Sequence, residues 1–216
     1  MIDRKPQPSP VLIRWGGLAA MLGGVLWIAV RVLVLLEPPP FSYDAYNRMF
    51  VAPLLLLLVG LLGFSVRRAG GCGRLARTGT VAALAGCTLL IVGNVTEFWL
   101  VLAQSKPNAN AAYQSGAEEV WIGSEIGWIL FLLGFLILSI GLVLFGAAAV
   151  RASELPKWRA LPLMVGAAGL TAFLFGPFLV TVADLLLTLI GLGWMLLGYV
   201  LWSGGDEAAR QPARAR

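Results

Sequence analysis

The sequence predicts an all-α integral membrane protein, a compact bundle of six transmembrane helices. Three observations predict it. Of 216 residues, 59% are hydrophobic and 12% charged, against roughly 45–50% and about 25% in a soluble domain. Mean hydropathy is +0.85. Six apolar runs each approach the roughly 20 residues that a helix needs to cross a hydrocarbon core about 30 Å thick.

The runs are 11–36, 49–66, 78–103, 120–150, 160–180 and 182–202. The first follows basic residues, as a signal peptide would. It is too long for one, and Arg31 and Glu37 stand where a small-residue cleavage site belongs, so we read an uncleaved span. The fourth is long enough to tilt or to leave the bilayer as a helix. The fifth and sixth nearly touch, with Gly176-Pro177 as punctuation. The connections are short, Gln104–Glu119 being the longest polar stretch. Residues 1–10 and 203–216 read as terminal tails. No loop approaches the roughly 50 residues of a separate domain.

Orientation follows from the basic residues. With the N-terminus in the cytoplasm, 13 of the 16 Lys and Arg fall on the inner side, and Arg31, Arg48 and Lys106 on the outer. The positive-inside rule then puts both termini inside. Trp15, Trp158 and Trp202 fall near one interface and Trp99, Trp121 and Trp128 near the other, as an aromatic belt requires. Abundant Arg, Ala, Gly and Pro suggest a GC-rich bacterial genome, hence a bacterial cytoplasmic membrane. The outer side carries a net −4 and the inner a net +9. The inner excess suits anionic lipid headgroups. No aromatic-basic module points to nucleic acid.

Absent residues exclude several chemistries. There is no histidine, which removes His-ligated haem or zinc and His-based acid–base catalysis. Cys72 and Cys87 are too few and too far apart for a CxxC pair or an all-Cys metal site. Lys5, Lys106 and Lys157 lie outside the apolar runs, so none is placed for a buried Schiff base. No serine has a general base in reach, and no phosphate-binding loop is present. No cofactor is expected, and no catalysis.

Two patterns remain. Small residues at four-residue spacing, Gly16/Ala20/Gly24, Gly79/Ala83 and Gly123/Gly127, permit close helix contacts in lipid, within the bundle or with another copy. Alternating helices also share small-residue patches. Three tandem helical hairpins would explain that, and so would convergence on Gly/Ala/Leu composition. The second pattern is a layer of polar residues toward the outer side: Arg31, Arg48, Asn94, Glu97, Glu125 and Asp184. Charges at this depth are costly, about 2.5–3.5 kcal/mol at the centre of a span and less near its ends. Arg31 is therefore expected within about 6 Å of Glu97, Glu125 or Asp184. Elsewhere in the spans Ser65, Thr80, Thr88 and Ser139 are expected to bond to their own helices.

Two functions fit. One is an accessory or scaffold protein working through helix contacts with other membrane subunits or as a homo-oligomer. The other is a binding or transport protein whose outward acidic pocket takes a small cationic or zwitterionic ligand. In both the lipid bilayer is a partner.

Overall fold

The computed structural model describes residues 10–34, 43–68, 73–101, 125–151, 157–172 and 180–214. Every element in them is helical: α1 (Pro10–Val34), α2 (Tyr43–Met49), α3 (Val51–Arg68), α4 (Arg74–Asn94), a π-helix (Val95–Val101), α5 (Glu125–Arg151), α6 (Lys157–Ala172) and α7 (Val180–Arg214). The expected loop Gln104–Glu119 and the Gly176-Pro177 break lie outside the described residues.

Among the described residues six long helices form the bundle, and five are long and apolar enough to cross a membrane. The fifth apolar run is the exception. Its described helix, α6, has 16 residues, and residues 173–179 of the same run lie outside the described residues. α7 shows the opposite departure. It has 35 residues and continues past Trp202 to Arg214, so the segment read as a tail extends the last helix. Ala208, Ala209, Arg210 and Gln211 all favour helix.

The long helices close into a ring. Each packs on its neighbour in the chain, and α7 returns to α1. The centre is filled by Leu54, Leu57, Leu61, Leu90, Leu142, Phe145, Leu187 and Trp194, among others. The rim toward lipid is aliphatic, with Leu22, Val59, Leu62, Val81, Ile129, Ile140 and Leu161 exposed.

Two seams of the ring bring backbones together through glycines seven residues apart. On α4 these are Gly79, Gly86 and Gly93; on α5, Gly127, Gly134 and Gly141. A Cβ at Gly79 would lie 2.6 Å from Phe145 N, one at Gly93 2.6 Å from Phe131 N, and one at Gly134 2.6 Å from Leu90 N. Only glycine admits so close an approach. The α1/α7 seam repeats the device. Gly17 faces Gly198, Gly24 faces Gly191, and one turn on Trp27 Nε1 donates to Leu187 O at 2.7 Å.

The four-residue pattern is therefore corrected on α1. Gly16 and Ala20 face Gly63 and Gly60 of α3, whereas Gly24 faces α7. On α4 the pattern holds, because Gly79 and Ala83 both meet α5. Gly123 lies outside the described residues.

Candidate binding site at the α2 end

The polar layer gathers where α1 and α4 end and α2 crosses between them. α2 is a seven-residue helix that turns at Phe50 into α3. It joins both flanking helices. Tyr46 Oη donates to Leu33 O of α1 at 3.1 Å. Toward the α4 side, Asn94 Nδ2 donates to Asn47 O at 2.9 Å, and Arg48 Nε donates to Phe98 O at 2.7 Å.

Four of the six residues expected in this layer are described with their side chains. Arg31 is buried at 8% exposure, Asn94 at 0% and Glu97 at 6%, and Arg48 is half-buried. Arg31 sits in an aromatic corner. Its guanidinium carbon lies 4.7 Å from the Phe50 ring centroid and 5.7 Å from that of Trp27. Those two rings meet edge to face at 5.3 Å. The faces of the rings attract a cation that burial has stripped of water. Arg48 places its guanidinium 5.8 Å from the Trp99 ring. Glu125 is the first residue of α5 and Asp184 lies in the opening turns of α7. Their side chains lie outside the described residues, and with them two of the three partners expected for Arg31.

Asn94 is the last residue of α4, and the chain then winds as a π-helix through Val101. A π-helix closes i→i+5 bonds and is rare beyond a single turn, often where function requires it. Here it carries Glu97 and Phe98 inward, both buried, and leaves Trp99 exposed. Phe98 packs on Phe131 of α5 at 6.2 Å, and Phe131 stacks on Trp128 at 5.5 Å. Asn94 Oδ1, fully enclosed, accepts no hydrogen bond among the described residues.

The remaining hydroxyls mostly behave as expected. Ser65, Thr80 and Thr88 donate to carbonyls one turn back in their own helices at 2.8–2.9 Å. Ser139 differs: it donates across the α5/α6 seam to Ala167 O. Cys87, a free buried thiol, donates to Leu54 O of α3 at 3.4 Å. Among the described residues no three His, Cys, Asp or Glu gather as a metal site would need.

Sequence reasoning missed α2, the π-helix and the aromatic corner of Trp27 and Phe50. The spacing of Tyr46 and Phe50, four apart before an apolar run, is the signal that would have found α2. Comparison with protein families, with curated proteins and with solved structures finds no match to this chain.

Proposed function

We propose that this multi-pass α-helical membrane protein is a non-catalytic binding protein, and that its ligand is a small cationic or zwitterionic molecule with an N–H donor held at the α2 end. One observation carries the reading. Asn94 Oδ1 is fully enclosed at membrane depth with its acceptor capacity unused among the described residues. Such an atom costs about 1–3 kcal/mol when unmatched, and a donor on the ligand offsets that cost. Glu97, three residues on, supplies a carboxylate from the π-helix that continues α4. The basic-residue distribution makes this the outward face. The missing histidine and base-less serines support the absence of catalysis.

The accessory or scaffold reading drew on small-residue faces. Gly16, Ala20, Gly24, Gly79, Ala83 and Gly127 are all used inside the bundle. A partner helix would meet the aliphatic rim instead.

Thermal unfolding in detergent with ethanolamine, phosphoethanolamine and tetramethylammonium tests the reading. The first two should raise Tm and the third, lacking N–H, should not. Saturation at 100 times Kd corresponds to about 2.7 kcal/mol. Glu97→Gln should lose the shift. No shift with any amine or zwitterion, together with a stoichiometric membrane partner after mild extraction, would sink the reading in favour of a subunit.

A further inference from the structure

We propose that the ligand is the headgroup of an ethanolamine phospholipid, which reaches Asn94 sideways from the bilayer between α3 and α4. The inference rests on the binding reading above and adds the ligand's source and route.

The α3/α4 seam is the loosest between chain neighbours in the ring. None of the glycines that bring backbones together lies in it. Gly60 and Gly63 of α3 face α1, and Gly79, Gly86 and Gly93 of α4 face α5. Two hydrogen bonds leave α4 on this side seven residues apart, one to α2 and one to α3, beside the buried side chains of Leu54, Leu57, Leu61 and Leu90. Asn94 reaches Asn47 O at 2.9 Å, and Cys87 reaches Leu54 O at 3.4 Å. Interhelical bonds of this kind average about 0.6 kcal/mol in lipid, so these two add little to what holds the seam. The α4/α5 and α1/α7 seams, closed backbone on backbone, have no comparable freedom.

The unmatched Asn94 Oδ1 stands at the α2 end of this loose seam. The chemistry along the seam matches one lipid class from head to tail. An ammonium N–H complements Asn94 Oδ1 and the Glu97 carboxylate. Arg48, half-buried on the same rim, spends its Nε on Phe98 O, and its other guanidinium N–H groups suit a phosphate. Leu55 of α3 and Val92 of α4 are exposed on the lipid-facing rim of the two helices, as acyl chains require. A choline headgroup satisfies the charge but has no N–H for Asn94.

Thiol labelling in nanodiscs reads both the opening and its occupant. Cys87 lies in the α3/α4 seam at 1% exposure, and Ser139 in the α5/α6 seam at 3%. Cys72→Ser leaves Cys87 as the single target; adding Cys87→Ala and Ser139→Cys moves the target to the tighter seam. In phosphatidylcholine discs, a lipid-soluble maleimide should modify Cys87 about tenfold faster, as expected for a cheaper local opening. Adding phosphatidylethanolamine should slow Cys87 several-fold and leave the cysteine at 139 unchanged. Equal rates at the two cysteines, or equal protection by phosphatidylcholine, would overturn the lateral route. If soluble phosphoethanolamine protects as well as the lipid, the ligand is a free solute; this proposal fails while the binding reading stands. If phosphatidylethanolamine and phosphoethanolamine both leave Cys87 labelling and Tm unmoved, both fail. Spin labels on Leu55 and Val92 give an independent measure. Their distance distribution should be broad in phosphatidylcholine and narrow with phosphatidylethanolamine, while a Val92–Leu133 pair across α4/α5 stays narrow in both.

Discussion

α4 shows two ways of holding helices together, one residue apart. Gly79, Gly86 and Gly93 face α5, where no side chain separates the backbones. Thr80, Cys87 and Asn94 come next in sequence at the same seven-residue period, all buried. Cys87 and Asn94 meet α3 and α2 through hydrogen bonds to carbonyls. A step of one residue turns a helix by about 100°, so the faces are adjacent but distinct. The glycine face gains many small dispersion contacts that need continuous proximity. The polar face gains a few discrete bonds that break one at a time. Rigidity therefore belongs to α4/α5, and adjustability to α3/α4, where the candidate site lies.

The largest expected effect comes from closing the glycine face. Gly86→Val places a Cβ against the backbone N and Cα of Leu138, which cannot turn aside as a side chain can. Overpacking costs about 1–3 kcal/mol and occasionally more, and backbone opposition puts this variant at or above the top of that range. Ala85→Val, the neighbouring exposed position, should stay within about 0.5 kcal/mol. Chemical unfolding of both in one detergent checks the contrast. Equal stabilities would mean that α4/α5 is no tighter than a lipid-facing surface.

Next in size is the α2 end of the second glycine seam. Gly17 faces Gly198 and Gly24 faces Gly191. One further seven-residue step on each helix reaches Arg31 and Asp184. Asp184 is one of the three carboxylates expected near Arg31, and the experiment takes it as the partner. Stranding one member of a buried pair costs about 3 kcal/mol. Arg31→Ala should show that loss and Lys106→Ala almost none. Exchange of the two charges, Arg31→Asp with Asp184→Arg, should recover more than half. Recovery with Glu97→Arg instead would place the partner on the π-helix and sharpen the polar side of the comparison.

The difference between the faces also explains what the sequence could tell. The helical bundle and the buried polar residues Arg31, Asn94 and Glu97 were legible because charge is scarce in apolar runs. Glycine is not scarce: with 26 glycines, a four-residue template finds matches on nearly every helix. Gly16 and Gly24 were thus read as one face, although they meet different neighbours. The seven-residue register emerges only when two helices are laid side by side. The π-helix was invisible for another reason: Val95-Thr96-Glu97-Phe98 reads as ordinary helix in any composition window. α2 was hidden by Asp44, Asn47 and Arg48, which resemble a loop until their partners on α4 and the π-helix are known.

A smaller effect is expected at the polar face's bond to α2. Asn94→Ala removes the 2.9 Å bond to Asn47 O but also removes the unmatched Oδ1. The two terms oppose each other, so the net loss should be about 1 kcal/mol or less. The seam should open more readily even so. Cys87 labelling in the Cys72→Ser background should rise several-fold in phosphatidylcholine, and phosphatidylethanolamine should no longer slow it. A large loss of stability without any change in labelling would make Asn94 a packing residue.

The smallest effect separates hydrogen bonding from packing most cleanly. Cys87 is 1% exposed, and its thiol lies 3.4 Å from Leu54 O. A thiol is a weak donor, so the bond contributes at most a few tenths of a kcal/mol on the scale of interhelical bonds in membranes. Cys87→Ala deletes both the donor and the volume of the sulfur. Cys87→Ser keeps a donor, and a better one, in a smaller atom. If carbonyl bonding holds this face, the serine variant should match or exceed wild-type stability, with alanine below both. If filling space holds it, as between α4 and α5, serine and alanine should fall together, because both lose the sulfur. The ranking of three unfolding midpoints in one detergent decides between them. Serine and alanine falling together would erase the distinction between the two faces of α4, and with it the reason for assigning adjustability to α3/α4.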